Sequence, residues 1–338
     1  MSTKTVSLAL QGGGAHGAFT WGVLDRLLDQ PDLVIDGISG TSAGAINACM
    51  LAQGLPDGRA HAKQELARFW RRISEVGMAA FNPYQSNPYN SLLRSWNLDW
   101  SPASVWLDVM ALFVSPYQLN PLDRNPLREL LVECLDLARL TGPEAPRLFV
   151  CATNLKTSRI KVFRNAELCA EALLASACLP QLHRAVEVAG DFYWDGGFIG
   201  NPALSPLIRE CEAPDIVLVQ VDPTHREQLP ISARDIADRL NEVTMNAALL
   251  RELDVIATIT RLVEEGAIQH SRYKAIRLHQ IADPTVMARL GLRSKSNTAW
   301  AFLTYLRDAG RACAARWLAQ NGSRIGREST LDLAELAV

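Results

Sequence analysis

A serine bracketed by glycines, Gly40-Thr41-Ser42-Ala43-Gly44, stands between two apolar runs. The first run, Leu33-Val34-Ile35-Asp36-Gly37-Ile38, reads as a short buried strand, and the second, Ala45 to Ala52, reads as a helix. Strand, tight turn and helix are the setting that the G-x-S-x-G pattern of a nucleophile elbow requires. In such a turn the serine is strained and its hydroxyl is pushed clear of the backbone, above a helix N-terminus that favours negative charge. Gly40 and Gly44 lack a Cβ, so strand and helix can approach closely.

A pentapeptide alone arises by chance too often to settle a fold. Two further glycine clusters add to it. Gln11-Gly12-Gly13-Gly14-Ala15-His16-Gly17 follows the apolar run Val6-Ser7-Leu8-Ala9-Leu10, and Trp194-Asp195-Gly196-Gly197 stands far downstream.

In this order the three motifs resemble the patatin-like phospholipase family, whose pattern is G-G-G-x-[KR]-G, then G-x-S-x-G, then D-G-[GA]. The resemblance covers about Thr5 to Val221. It implies that Gly12, Gly13 and Gly14 form an oxyanion hole, that Ser42 is the nucleophile, and that Asp195 is the second member of a Ser–Asp dyad. Gly40, Gly44, Gly196 and Gly197 are the supporting motif glycines. It implies a three-layer α/β/α fold with a mostly parallel central sheet, and hydrolysis of lipid acyl esters without metal or organic cofactor. One position departs from the pattern: His16 stands where the family has Lys or Arg.

The chemistry of the residues leads to the same roles. A carbonyl attacked by Ser42 becomes a tetrahedral oxyanion, and each preorganised backbone N–H aimed at it is worth about 10²–10³ in rate. A carboxylate beside the serine can take its proton and return it to the leaving group. Gly196-Gly197 allows a tight turn behind Asp195.

Rival readings use the same residues. Gly12-x-Gly14-x-x-Gly17 after a strand also fits a dinucleotide fingerprint, with Asp36 near the ribose-binding position. Against it, Asp36 runs straight into the glycine-bracketed serine. The order Ser42, Asp195, His225 fits an esterase triad, and His225 follows the apolar run Ile216–Val221. Those enzymes reach the elbow after several strands, whereas one strand and one helix precede it here, which favours the dyad. His183 is expected near the cleft. Acyl transfer to another alcohol, or a non-catalytic lipid-binding module, remain open; an intact Ser42 and Asp195 argue against the module.

The chain has 338 residues, 48% hydrophobic and 21% charged, in keeping with a globular protein carrying a substantial core. A formal net charge of −2 provides no basic field for nucleic acid. Seven cysteines without paired spacing argue for buried thiols in a reducing compartment, and no Cys/His cluster suggests a metal. With no signal peptide and no apolar run of membrane-spanning length, the expectation is a cytoplasmic protein, with any membrane contact peripheral. The expected partner is a lipid or other acyl-ester substrate; oligomeric state is open.

Strands are expected at Val6–Leu10, Leu33–Ile38, Leu148–Thr153, Arg159–Phe163, a hairpin around Val186–Trp194, and Ile216–Val221. Helices are expected after the glycine loop to about Asp29, at Ala60–Ile73, Ala166–Cys178, Leu204–Cys211, Asp235–Glu265 and Thr298–Gln320, with a last strand within Tyr273–Ile281. Arg307, Arg311 and Arg316 on the last helix are candidates for anionic headgroups, with a solvated helix face as the plainer reading. The expected division is a catalytic domain over 1–285 and a helical extension over 286–338. Within the former, about 76–124 is charge-poor and aromatic, holding Phe81, Tyr84, Tyr89, Trp96, Trp100, Trp106, Phe113 and Tyr117. It is expected as an insertion over the site, forming an acyl-chain pocket or an interfacial lid, or else a buried cap that only packs on the core.

Overall fold

The structure, a computed structural model, describes residues 3–79, 96, 115–268 and 274–331. Of the aromatic segment, Trp96 and Tyr117 are described; Phe81, Tyr84, Tyr89, Trp100, Trp106 and Phe113 lie outside the described residues, as do His270 and Tyr273.

Among the described residues, eight strands form one sheet: β1 Lys4–Leu10, β2 Leu33–Thr41, β3 Arg147–Asn154, β4 Arg159–Arg164, β5 Val186–Val188, β6 Asp191–Asp195, β7 Asp215–Val219 and β8 Arg277–Ile281. Their order is β5-β6-β3-β2-β1-β7-β8, with β4 branching from β3. β1 pairs parallel with β2 and β7, β2 with β3, and β7 with β8, while β4, β5 and β6 join antiparallel. The principal helices are α1 Gly17–Leu27, α2 Ala43–Gly54, α3 Arg59–Ala79, α4 Pro126–Cys134, α5 Ala170–Ser176, α6 Ser205–Glu210, α7 Ala233–Glu264 and α8 Trp300–Asn321.

Strand periodicity builds the three layers. Val6, Leu8 and Leu10 of β1, with Val217 and Val219 of β7, pack on one face with Phe19 of α1, Leu51 of α2, Leu173 of α5 and Phe302 of α8. Ala9, Ile216 and Leu218 point the other way, onto Leu207 of α6 and Leu249, Leu253 and Ile256 of α7. Parallel strands covered on both faces read as apolar runs, as Ile216–Val219 of β7, buried without a break, shows. Every residue of α2 is buried, Asn47 and Gln53 included, so this helix faces protein all round rather than being amphipathic.

The last helix belongs to the same body. α8 lies across α1 so closely that a Cβ on Gly22 would overlap the Arg307 carbonyl, and one on Gly310 the Phe19 carbonyl. Trp96 stacks on Tyr305 of α8 at 5.6 Å between ring centroids. Its arginines are committed within the chain: Arg307 to Asp308, Arg311 to Asp25 and Asp29, and Arg316 to Asp283. The expected helix over Ala166–Cys178 is shorter. Asn165–Glu167 forms a separate turn, and extended backbone at Leu168 and Cys169 delays α5 to Ala170. No described helix is long and apolar enough to cross a membrane.

Candidate functional site

Ser42 is the single residue between β2 and α2, and its backbone sits at φ 54°, ψ −125°. A side-chain-bearing residue in that region costs about 1–3 kcal/mol, so its surroundings must enforce it. They do so from three sides. The Ser42 N–H donates to the Ser176 hydroxyl at 2.8 Å, and its carbonyl accepts from Ile46 N–H at 3.1 Å. Just before it, the Thr41 hydroxyl donates to the Gly200 carbonyl at 2.6 Å. The motif glycines are steric necessities: a Cβ on Gly40 would stand 2.6 Å from the Gly44 carbonyl, and one on Gly44 would overlap the Leu10 carbonyl.

Strand register brings Asp195 to this serine. Thr41 of β2 pairs with Cys151 of β3, and the next residue of β3, Ala152, pairs with Asp195 at the end of β6. Gly196 then passes 3.1 Å, measured to its would-be Cβ, from the Thr41 methyl. Asp195 is 4% exposed. Its Oδ1 accepts the Gly197 N–H at 2.7 Å, while its backbone is fixed by Cys178 and Thr153. Burial pushes the Asp195 carboxyl up to about 6, opposed by the Gly197 N–H, the Ser42 hydroxyl acting as donor, and the Lys295 ammonium; Asp222 adds to the rise.

The glycine loop lies against the same serine. A Cβ on Gly12 would stand 2.8 Å from the Thr41 carbonyl and 2.9 Å from Ser42 Cβ. The Gly12 N–H is engaged, donating to Asn201 Oδ1 at 2.7 Å. Among the described hydrogen bonds, the N–H groups of Gly13 and Gly14 have no protein acceptor. Gly14 has φ +57°, a conformation that glycine adopts without penalty. The structure thus assembles Gly12–Gly14, Ser42 and Asp195 at the carboxyl ends of the parallel strands β1 and β2, where ligand sites of open α/β sheets fall.

His16 is buried, and burial, with a smaller contribution from Lys295, holds its imidazole well below the usual histidine range. Several supporting residues carry no sequence signal of their own. Ser176 sits in an apolar helix, Asn201 in a loop, and Gln11 accepts from the N–H groups of Val221 and Asp222 at 2.8 Å each. Gln11, Asn201 and Asn246 are buried polar residues, and the fold alone brings them together.

The residues of the rival readings lie elsewhere or are otherwise occupied. His225 is exposed in the loop beyond β7, with no described contact to Ser42 or Asp195. His183 is half-buried, and burial lowers its pKa while Asp123 opposes. Asp36 caps the Glu212 and Ala213 N–H groups, and Gly17 allows α1 to approach α2, its would-be Cβ lying 2.7 Å from Ala43 Cβ.

A family model described as patatin-like phospholipase matches residues 8–208. The crystal structure of VipD from Legionella pneumophila is similar at 16% identity and a TM-score of 0.36, over 92% of this chain and 67% of that one. A search of curated proteins finds no match.

Proposed function

The chain belongs to the patatin-like phospholipase family, and we propose that it is a serine hydrolase of lipid acyl esters working through Ser42 and Asp195. The observation that carries this reading is a strained, half-buried serine set beside a buried carboxylate. Family membership implies acyl hydrolysis; the assignment of individual roles is our own.

In the proposed cycle the Asp195 carboxylate takes the Ser42 hydroxyl proton as Oγ attacks the ester carbonyl carbon. The carbonyl oxygen becomes an oxyanion. Gly13 and Gly14 are the donors for it, since the Gly12 N–H is held by Asn201. Collapse breaks the bond to the leaving alcohol, which receives the proton from Asp195, and the acyl group stays on Ser42. Water then gives a proton to Asp195 and attacks the acyl-enzyme. The acid leaves, and Ser42 recovers its proton. A carboxyl raised to about 6 is a stronger base than an ordinary aspartate, yet ionised at neutral pH.

A lipid acyl substrate is supported by apolar side chains exposed on segments that flank the site. Leu182 follows the helix bearing Ser176, while Leu229, Ile231, Ile236 and Leu240 follow β7 into α7. A fluorophosphonate probe should label Ser42 and no other serine, and p-nitrophenyl esters should be hydrolysed faster with medium or long acyl chains than with acetyl. Absence of labelling in the folded protein would instead favour a lipid-binding module.

A further inference from the structure

The glycine loop is backed by a segment nearly 300 residues away. Leu292–Ser296 forms a short turn after β8, and the Lys295 carbonyl lies 2.5 Å from where a Cβ on Gly14 would stand. The Lys295 ammonium ion-pairs with Asp222 Oδ1 at 2.7 Å and donates to Asn241 Oδ1 of α7 at 2.8 Å. Asp222 is 3% exposed at its side chain, and its N–H is bound by Gln11, the residue before Gly12.

The loop's own side chain supplies no charge. The Ser294 hydroxyl donates to the Gly291 carbonyl at 2.6 Å, so it accepts from His16 Nε2 at 2.7 Å. His16 therefore carries its proton on Nε2, and Nδ1 is bare, without a described partner. A buried neutral imidazole leaves the glycine loop without a charge of its own, and Lys295, on the turn behind it, is a cation that bears on Asp195. The ionised groups that bear on Asp195 are Lys295 and Asp222, of opposite sign, and Lys295 is the stronger influence.

Resting on the Ser42–Asp195 reading, we propose that Lys295 is a positioning residue of the site. Its backbone steadies Gly14, and its ammonium, tethered by Asp222 and Asn241, offsets the negative charge of Asp195. The site is therefore completed by the C-terminal part of the chain, beyond the span that carries the three glycine motifs.

The test uses the full-length protein and the variants K295Q, K295R and D222N, with S42A as reference. Ester kcat/KM is followed from pH 5 to 9. K295Q should move the acid limb up by about one pH unit, giving about a tenfold loss at pH 5 that disappears by pH 9. K295R should leave the limb in place, and D222N should move it the other way. An unmoved limb with K295Q, or an equal loss at every pH, overturns the proposal. If S42A keeps full activity, the reading of the site fails rather than Lys295. A double-mutant cycle of K295Q with D195N, read by denaturation at pH 8, then decides independently of activity: non-additive effects support the Lys295–Asp195 coupling and additive ones sink it.

Discussion

The backbone N–H of Ser42 donates to the hydroxyl of Ser176 at 2.8 Å, joining the elbow between β2 and α2 to the end of α5. The bond holds a residue whose φ of 54° few side chains tolerate. Ser176 is fully buried, so no water can replace its oxygen without rearrangement.

Ser176→Ala is therefore expected to lower stability by about 1–3 kcal/mol, the cost of an unsatisfied buried donor. It should reduce kcat more than it raises KM, because the lost bond orients Ser42 rather than the acyl chain. Denaturant unfolding with steady-state kinetics checks both. A variant with wild-type kcat would show that α2 and the glycines alone enforce the turn.

Strain at Ser42 can be separated from its chemistry. Ser42→Ala and Ser42→Gly both remove the hydroxyl, and both should lower turnover by several orders of magnitude. Glycine accepts φ 54°, whereas alanine does not. Ser42→Gly should therefore be more stable than Ser42→Ala by about 1 kcal/mol. Equal melting temperatures would mean that the turn relaxes once the hydroxyl is gone.

The three-layer fold, most strand positions and the glycine and serine motifs were legible because each has a local cause. Parallel strands read as apolar runs, and Gly40 answers to a backbone approach by Gly44 and Ala45 just beyond it, whereas Gly44 answers to Leu10 on the neighbouring strand. Asp195 was singled out by the resemblance that the three motifs carry together, and the register of β2, β3 and β6 sets it near Ser42. Ser176, Asn201 and Lys295 were not. Each acts on a residue 134 to 281 positions away (Ser42, Gly12 and Gly14 respectively), and one sequence without contacts cannot pair them. The commitment of the Gly12 N–H to Asn201 is of the same kind. The motif marks three glycines alike, and tertiary structure distinguishes the two whose donors have no partner among the described residues.

A triad histidine predicts the opposite of a dyad. His225 is exposed beyond β7, and His183 is half-buried without a described bond to Asp195. His225→Ala and His183→Ala should each keep most ester hydrolysis, with kcat/KM within about threefold, since surface changes away from a site alter little. A folded His225→Ala variant as inactive as Ser42→Ala would replace the dyad with a triad.

Asp195 should trade stability for activity. Its folded carboxyl titrates near 6, above its ordinary value of 3.8. For a raised group the contribution to stability is fully present below the unfolded value and is lost as pH rises through the folded one. Between pH 3.8 and 6 the folded state holds the proton that the unfolded chain releases; above 6 the buried carboxylate is carried at a penalty of roughly 3 kcal/mol. Asp195→Asn keeps an oxygen for the Gly197 N–H and carries no charge. The variant should thus be more stable than the parent at pH 8, with the advantage shrinking towards pH 4, while ester hydrolysis is crippled at every pH. In the parent, activity should fall as pH drops through about 6, because protonation of Asp195 removes the base. Chemical denaturation of both proteins at pH 8 and pH 5 measures the first effect, and a kcat/KM profile the second. A variant less stable than the parent at pH 8 would mean that the charged form of Asp195 is better solvated or paired than its burial implies.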